Sequence, residues 1–268
     1  MTQVRITPAT PTIGGFVEGV DLREPLTAEE IGVIRDAWLD RQVLFFRDQH
    51  LTIVEQKAFA RQFGELWIHP HLKAPEDHPE VLVVHRKAAA TGRPPGEGWH
   101  TDMSPAEQPP AASILRLEQV PSVGGDTLWA SMYAAWDALS DHWKRFLEPL
   151  EAWHSSAARH GGAFGISADH PRTRHPIARR HPETGRTALY VNQGFTMEID
   201  GMSAAESRAT LGFLFDHVED PRFHVRLRWE PGTIAMWDNR CTQHNAINDY
   251  DEARLGYRLT LAGDRPSR

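Results

Sequence analysis

With 268 residues, a formal charge of -7 and one cysteine, the chain is long enough for one large core and short for two independent ones. The acidic balance argues against a dedicated nucleic-acid binder, and the lack of an apolar run of about eighteen residues argues against a membrane span. Cys241 alone excludes a disulfide framework or a cysteine-rich zinc site, and Met1-Thr2-Gln3-Val4-Arg5 opens no signal peptide, so a cytoplasmic single domain over residues 1–268 acting on a small molecule is expected. Monomer and homo-oligomer both stay open.

In chain order, strand candidates fall at Phe16 to Val20, Val43 to Arg47, Val81 to His85, Ala112 to Leu117, Thr127 to Ala130, Thr187 to Asn192, His224 to Trp229, Thr233 to Trp237 and Arg258 to Ala262. In Phe223-His224-Val225-Arg226-Leu227-Arg228-Trp229 apolar residues alternate with polar ones, an antiparallel pattern. Glu230-Pro231-Gly232 then predicts a hairpin into Thr233 to Trp237, and His181-Pro182-Glu183-Thr184-Gly185 a turn just before a strand. Thr27 with Glu30, Thr52 with Glu55, and Ser203 with Glu206 form capping boxes ahead of three helices expected to flank the sheet. Ala74 to Pro79, Ala88 to Gly98 and Gly161 to Pro176 read as loops over a site. The class is mainly β with flanking helices.

The chemistry is concentrated in Trp99-His100-Thr101-Asp102. On a strand, residues two apart share a face, so this imidazole and carboxylate converge. A His-x-Asp pair alone is common. With a second imidazole from Trp237-Asp238-Asn239-Arg240-Cys241-Thr242-Gln243-His244, two His and one carboxylate make the facial triad of non-haem Fe(II) oxygenases. That leaves three adjacent positions on the metal and a net charge of about +1, which favours an anionic co-substrate. Arg254, ten residues after His244, and Arg258 can each grip a carboxylate through paired hydrogen bonds, although arginines this late in a chain are also common surface residues.

These segments, with Gly124-Gly125-Asp126-Thr127-Leu128-Trp129, resemble the taurine dioxygenase and 2,4-dichlorophenoxyacetate dioxygenase family nearly end to end, from Gly19-Val20-Asp21-Leu22 to Leu261-Ala262-Gly263-Asp264. The resemblance implies a double-stranded β-helix, the cupin-like jelly roll, working with Fe(II), 2-oxoglutarate and O2. It implies His100, Asp102 and His244 as iron ligands, Thr127 and Arg254 as partners of the distal carboxylate of 2-oxoglutarate, and Arg258 as the clamp for an anionic substrate. The stretch between His244 and Arg254 is one residue shorter than in the taurine enzymes, which also carry two consecutive arginines where this chain has only Arg254.

His69 in Ile68-His69-Pro70-His71 resembles the histidine that contacts sulfonate in taurine dioxygenases, and a His beside Pro also serves simply to fix a loop. Phe195 resembles an aromatic pocket wall and reads equally as core. Trp237 is expected to pack beneath the metal, and Cys241, at odd spacing from His244, to pack rather than ligate. Gly96 stands where the taurine enzymes place Asn, while His85 to Asp102 and Ser131-Met132-Tyr133-Ala134-Ala135-Trp136 are similar to aryloxypropionate dioxygenases. The substrate is thus expected to be an anion: a sulfonate, alkyl sulfate or aryloxyalkanoate. A zinc hydrolase on the same three ligands, or a jelly-roll binding protein without turnover, are the competing classes, and both leave Thr127, Arg254 and Arg258 unexplained.

Overall fold

The computed structural model describes residues 3–69, 74–88, 96–156 and 172–268. Its main sheet contains β1 (Arg5–Pro8), β2 (Gly15–Glu18), β3 (Val43–Phe46), β14 (Ile234–Asp238), β6 (Ala112–Gln119), β16 (Arg254–Leu261) and β4 (Leu66–Trp67) in that spatial order, with β5 (Leu82–Arg86) also on β16. A second sheet runs β13 (His224–Leu227), β7 (Thr127–Ser131), β15 (Thr242–Ala246). The architecture is the jelly roll, mainly β with flanking helices, as expected.

The central strands β3, β14 and β6 carry apolar residues on both faces because both faces are covered. Val43 and Phe45 on β3, Leu115 and Leu117 on β6, and Ala235 and Trp237 on β14 point inward and meet Trp129, Val225 and Leu227 of the second sheet. Their neighbours Leu44, Phe46, Ile114, Ile234 and Met236 point outward. There they are covered by α1 (Ala28–Arg41) and α2 (Ile53–Arg61), through residues such as Trp38 and Phe59. By this parity Ser113, Trp237, Arg254 and Arg258 face the inter-sheet space, and Asp238 faces out.

All three capping boxes form. The third helix, α5 (Ala204–Val218), does not flank the main sheet. It packs against β12 (Thr196–Ile199) and α3 (Met132–Asp137), within a separate cluster that includes Leu211, Leu214, Ile199 and Trp136. The expected hairpin at Glu230-Pro231-Gly232 is not one. The turn closes through Thr233 N to Glu230 O at 3.0 Å, but β13 pairs with β7 and β14 with β3 and β6, so the turn carries the chain from one sheet to the other. The turn at His181 to Gly185 does form a hairpin, between β10 (Ala178–Arg180) and β11 (Thr187–Leu189). Thr173 to Pro176, expected as loop, is strand β9 against β8 (Glu151–His154); it sits at a sheet edge, where a terminal proline costs no ladder bond. The rest of the Gly161 stretch, to residue 171, and residues 89–95 lie outside the described residues. The helix α4 (Asp141–Leu147) was not expected, being too short to show a period. Among the described residues no helix is long and apolar enough to cross a membrane.

Candidate metal and oxo-acid site

The second sheet sets the site. On β15, His244 lies opposite Trp129, and on its other edge it exchanges both backbone hydrogen bonds with His100, N to O at 2.9 and 3.1 Å. A pair bonded this way projects both side chains to one face, and the two rings stand 4.1 Å apart. The pairing stops there. His100 is an isolated bridge, Asp102 lies in a turn, and Met103 is left-handed at φ 47, so the His-x-Asp pair sits at a strand's ragged edge rather than on a strand. Thr101 Oγ donates to Thr242 O at 2.9 Å and holds this edge against β15.

The donors still converge: Nε2 of His100 and Nε2 of His244 each lie 4.0 Å from Asp102 Oδ1, and all three residues are buried. His100 Nδ1 is 2.9 Å from Gly98 O. A carbonyl only accepts, so Nδ1 carries the proton and Nε2 presents its lone pair to the cluster. Burial pushes the Asp102 carboxyl up, but the Arg258 charge, both imidazoles and a hydrogen bond from Ser113 outweigh it and hold the group well below the usual carboxylate range. Arg258 Nη1 donates to Oδ1 at 2.7 Å and Ser113 Oγ to Oδ2 at 2.7 Å. Trp237 packs on His244 at 4.9 Å, where the sequence placed it, and Phe195 stands edge-on to His100 at 6.2 Å. His69 follows β4 and lies edge-on to Trp67 at 5.5 Å.

Thr127 and Arg254 are gathered by a residue the sequence reading passed over. Trp229 Nε1 donates to Thr127 Oγ1 at 2.9 Å, and the Arg254 guanidinium lies 5.8 Å from the Trp229 ring centre. Arg254 is buried, which pulls its pKa down, and neighbouring Tyr250 only partly offsets this. Its Nε has no hydrogen-bond partner and no carboxylate pairs with it among the described residues.

Ser113 and Asn239 were also missed as site residues. Asn239 lies inside the Trp237 to Arg240 motif, whereas Ser113 shares its strand with Arg116 and Glu118 and nothing local singles it out. Gly96, at φ 90, is in a conformation L side chains rarely adopt; a Cβ there would stand 4.0 Å from His100 Cε1, at the rim of the cluster.

A second buried trio, His181, Asp238 and Cys241, has a different chemistry. Asp238 receives Arg240 through two parallel bonds, Nε to Oδ1 at 2.8 Å and Nη2 to Oδ2 at 2.7 Å, and His181 Nε2 at 3.0 Å. His181 Nδ1 accepts from the backbone of Glu183 and Thr184. No lone pair is left for a metal, and Cys241 is packing, its thiol pushed up by burial.

Residues 5–260 match the family described as taurine catabolism dioxygenase TauD, TfdA family. The chain is 34% identical over 281 residues to an alpha-ketoglutarate-dependent sulfate ester dioxygenase of Pseudomonas putida, spanning 98% of this chain and 91% of that one. A solved taurine dioxygenase from Burkholderia xenovorans is 40% identical, with a TM-score of 0.87 over 98% of this chain and 90% of the other. AAD-2, solved in complex with Mn(II) and N-oxalylglycine, is 31% identical, with a TM-score of 0.86 over 99% and 100% of the two chains.

Proposed function

The chain belongs to the taurine catabolism dioxygenase TauD, TfdA family and is a 2-oxoglutarate-dependent dioxygenase using Fe(II) and O2, and from that premise we propose that it hydroxylates a small anionic sulfonate, alkyl sulfate or aryloxyalkanoate. In this reading His100, Asp102 and His244 hold the iron. The donor set fits it: one imidazole has its proton tied to a backbone carbonyl, and a carboxylate is kept ionised in a buried cluster. Held there, Fe(II) would supply the redox chemistry by which O2 oxidatively decarboxylates 2-oxoglutarate to succinate and CO2 and gives its other oxygen atom to a substrate C–H bond.

The chain's own residues bind, orient and exclude water. Thr127 and Arg254 take the distal carboxylate of 2-oxoglutarate, the hydroxyl giving one hydrogen bond and the guanidinium a charge-assisted pair. The observation that carries this reading is Arg254 itself, a buried cation with no anionic partner among the described residues, joined through Trp229 to Thr127, which pairs with Ala246 two residues after His244. A zinc hydrolase or a passive binding protein gives that charge nothing to do.

Arg258 serves the substrate. One of its amino groups holds Asp102, while its Nε has no partner among the described residues, so an anionic group on the substrate can complete its fork. Phe195 walls the pocket beside His100, and His69 contributes from the end of β4. Gly96 puts no side chain at the rim, which suits substrates bulkier than taurine. The test is succinate yield with Fe(II), 2-oxoglutarate and air across sulfonates, alkyl sulfates and aryloxy acids. Substrate-dependent succinate is expected, and turnover without O2 and without the oxo acid would overturn the reading.

A further inference from the structure

Three buried side chains behind Asp102 form a hydrogen-bonded chain whose direction is fixed at every link. The Trp237 indole N–H can only donate, and it reaches Asn239 Oδ1 at 2.9 Å. The Asn239 amide must therefore present its NH2 on the other side, where it donates to Ser113 Oγ at 2.9 Å. With its oxygen accepting there, the Ser113 hydroxyl turns its own proton to Asp102 Oδ2, at 2.7 Å. All four residues are at most 4% exposed, so no water competes for these bonds.

The two oxygens of Asp102 are thus inequivalent. Oδ2 accepts from Ser113, on β6, and Oδ1 from Arg258 Nη1 at 2.7 Å, but it is Oδ1 that lies 4.0 Å from both imidazole Nε2 atoms. The same Trp237 that starts the chain packs on His244, so one residue steadies two of the three donors. Resting on the iron reading above, we propose that Ser113, ordered by Asn239 and Trp237, keeps Asp102 a one-oxygen ligand and so preserves the coordination position that O2 requires. The count is simple. Two imidazoles, one carboxylate oxygen and a bidentate oxo acid fill five positions of an octahedron, and a second carboxylate oxygen would fill the sixth. Ser113 is a positioning residue: anchoring Oδ2 to β6 fixes the rotation of the carboxylate, so that Oδ1 faces the two imidazoles and Oδ2 is held away from them.

The test compares wild type with Ser113→Ala, Ser113→Thr and Asn239→Ala. Each is crystallised anaerobically with Mn(II) and N-oxalylglycine, titrated with Fe(II) and 2-oxoglutarate for the visible charge-transfer band, and then exposed to O2 with succinate measured. Ser113→Ala is expected to bind metal within about tenfold of wild type, to show both Asp102 oxygens on the metal, and to form succinate about tenfold more slowly or worse. Ser113→Thr keeps the hydroxyl and is expected to retain one-oxygen ligation and most of the rate. Asn239→Ala, which loosens the same hydroxyl, is expected to fall between them and decides the matter if Ser113→Ala does not fold. Asp102 bound through one oxygen in both alanine variants, with wild-type rates, would overturn the proposal. A wild-type protein that gives no band would instead sink the iron reading, and this proposal with it.

Discussion

The Arg254 guanidinium lies 5.8 Å from the centre of the Trp229 ring, whose indole N–H is given to Thr127. A charge buried in this way costs stability unless an anion arrives to meet it, so on the proposed reading 2-oxoglutarate would remove a destabilising feature of the free protein.

Replacing Arg254 with Met keeps much of the volume and removes the charge. The expected loss is about 2 kcal/mol or more of 2-oxoglutarate binding, roughly thirtyfold in its KM, with a melting temperature no lower than wild type. In thermal scans 2-oxoglutarate should raise the Tm of wild type and not of Arg254→Met. An unchanged KM would remove Arg254 from the oxo-acid site.

Arg258 holds Asp102 through Nη1, its Nε has no hydrogen-bond partner among the described residues, and the proposed reading gives it the substrate anion as well. Arg258→Ala is expected to raise the KM of every anionic substrate about tenfold and, by releasing Asp102, to weaken metal binding by a similar factor, with the 2-oxoglutarate KM near wild type. Substrate affinity unaltered for every acid tested would show that the clamp assignment is wrong.

The strands at Val43–Phe46, Ala112–Gln119, Thr127–Ser131, His224–Leu227 and Ile234–Asp238 and the three capped helices were legible because their signals are local: apolar runs, alternation, and a Thr or Ser three residues before Glu; β15, which carries His244, has no such signal. What the sequence hid is non-local. Nothing near Glu230 to Gly232 says that the strands on either side join different sheets, and the edge strand at Thr173 to Pro176 is too short to stand out in Gly- and His-rich surroundings. In the site, the convergence of the two histidines and the aspartate could be expected from spacing and resemblance. Ser113 and Trp229 acquire meaning only when register brings β6 and the end of β13 beside residues far away in sequence.

The Asp238, Arg240 and His181 cluster is a structural ion network. Asp238 is held well below the usual carboxylate range, burial being outweighed by Arg240 and His181. Arg240→Ala would strand a buried charge and is expected to cost about 3–5 kcal/mol in denaturant unfolding. His181→Gln should leave metal content unchanged, and a loss of metal in that variant would contradict the division between the two trios.

Acid should destabilise the fold through His175 and His154, whose rings are 5.3 Å apart. Burial is the main cause of both shifts; it pulls His175 down to about 4 and His154 well below its ordinary value. Because the folded pKa lies below the unfolded one, the unfolded chain takes up protons first. Stability is therefore full above about pH 6.5 and falls as pH drops toward 4, by about 3 kcal/mol from His175. Urea midpoints measured from pH 7 to 4.5 should fall, and His175→Gln should flatten the slope; a slope identical to wild type would rule His175 out.

The proposed reaction requires that His100, Asp102 and His244 bind iron together with the oxo acid. Anaerobic addition of Fe(II) and then 2-oxoglutarate to the purified protein, followed by visible absorption, tests this directly. A charge-transfer band that saturates with 2-oxoglutarate and is absent in His100→Ala is the predicted result. No band in wild type, or an undiminished band in His100→Ala, would contradict it.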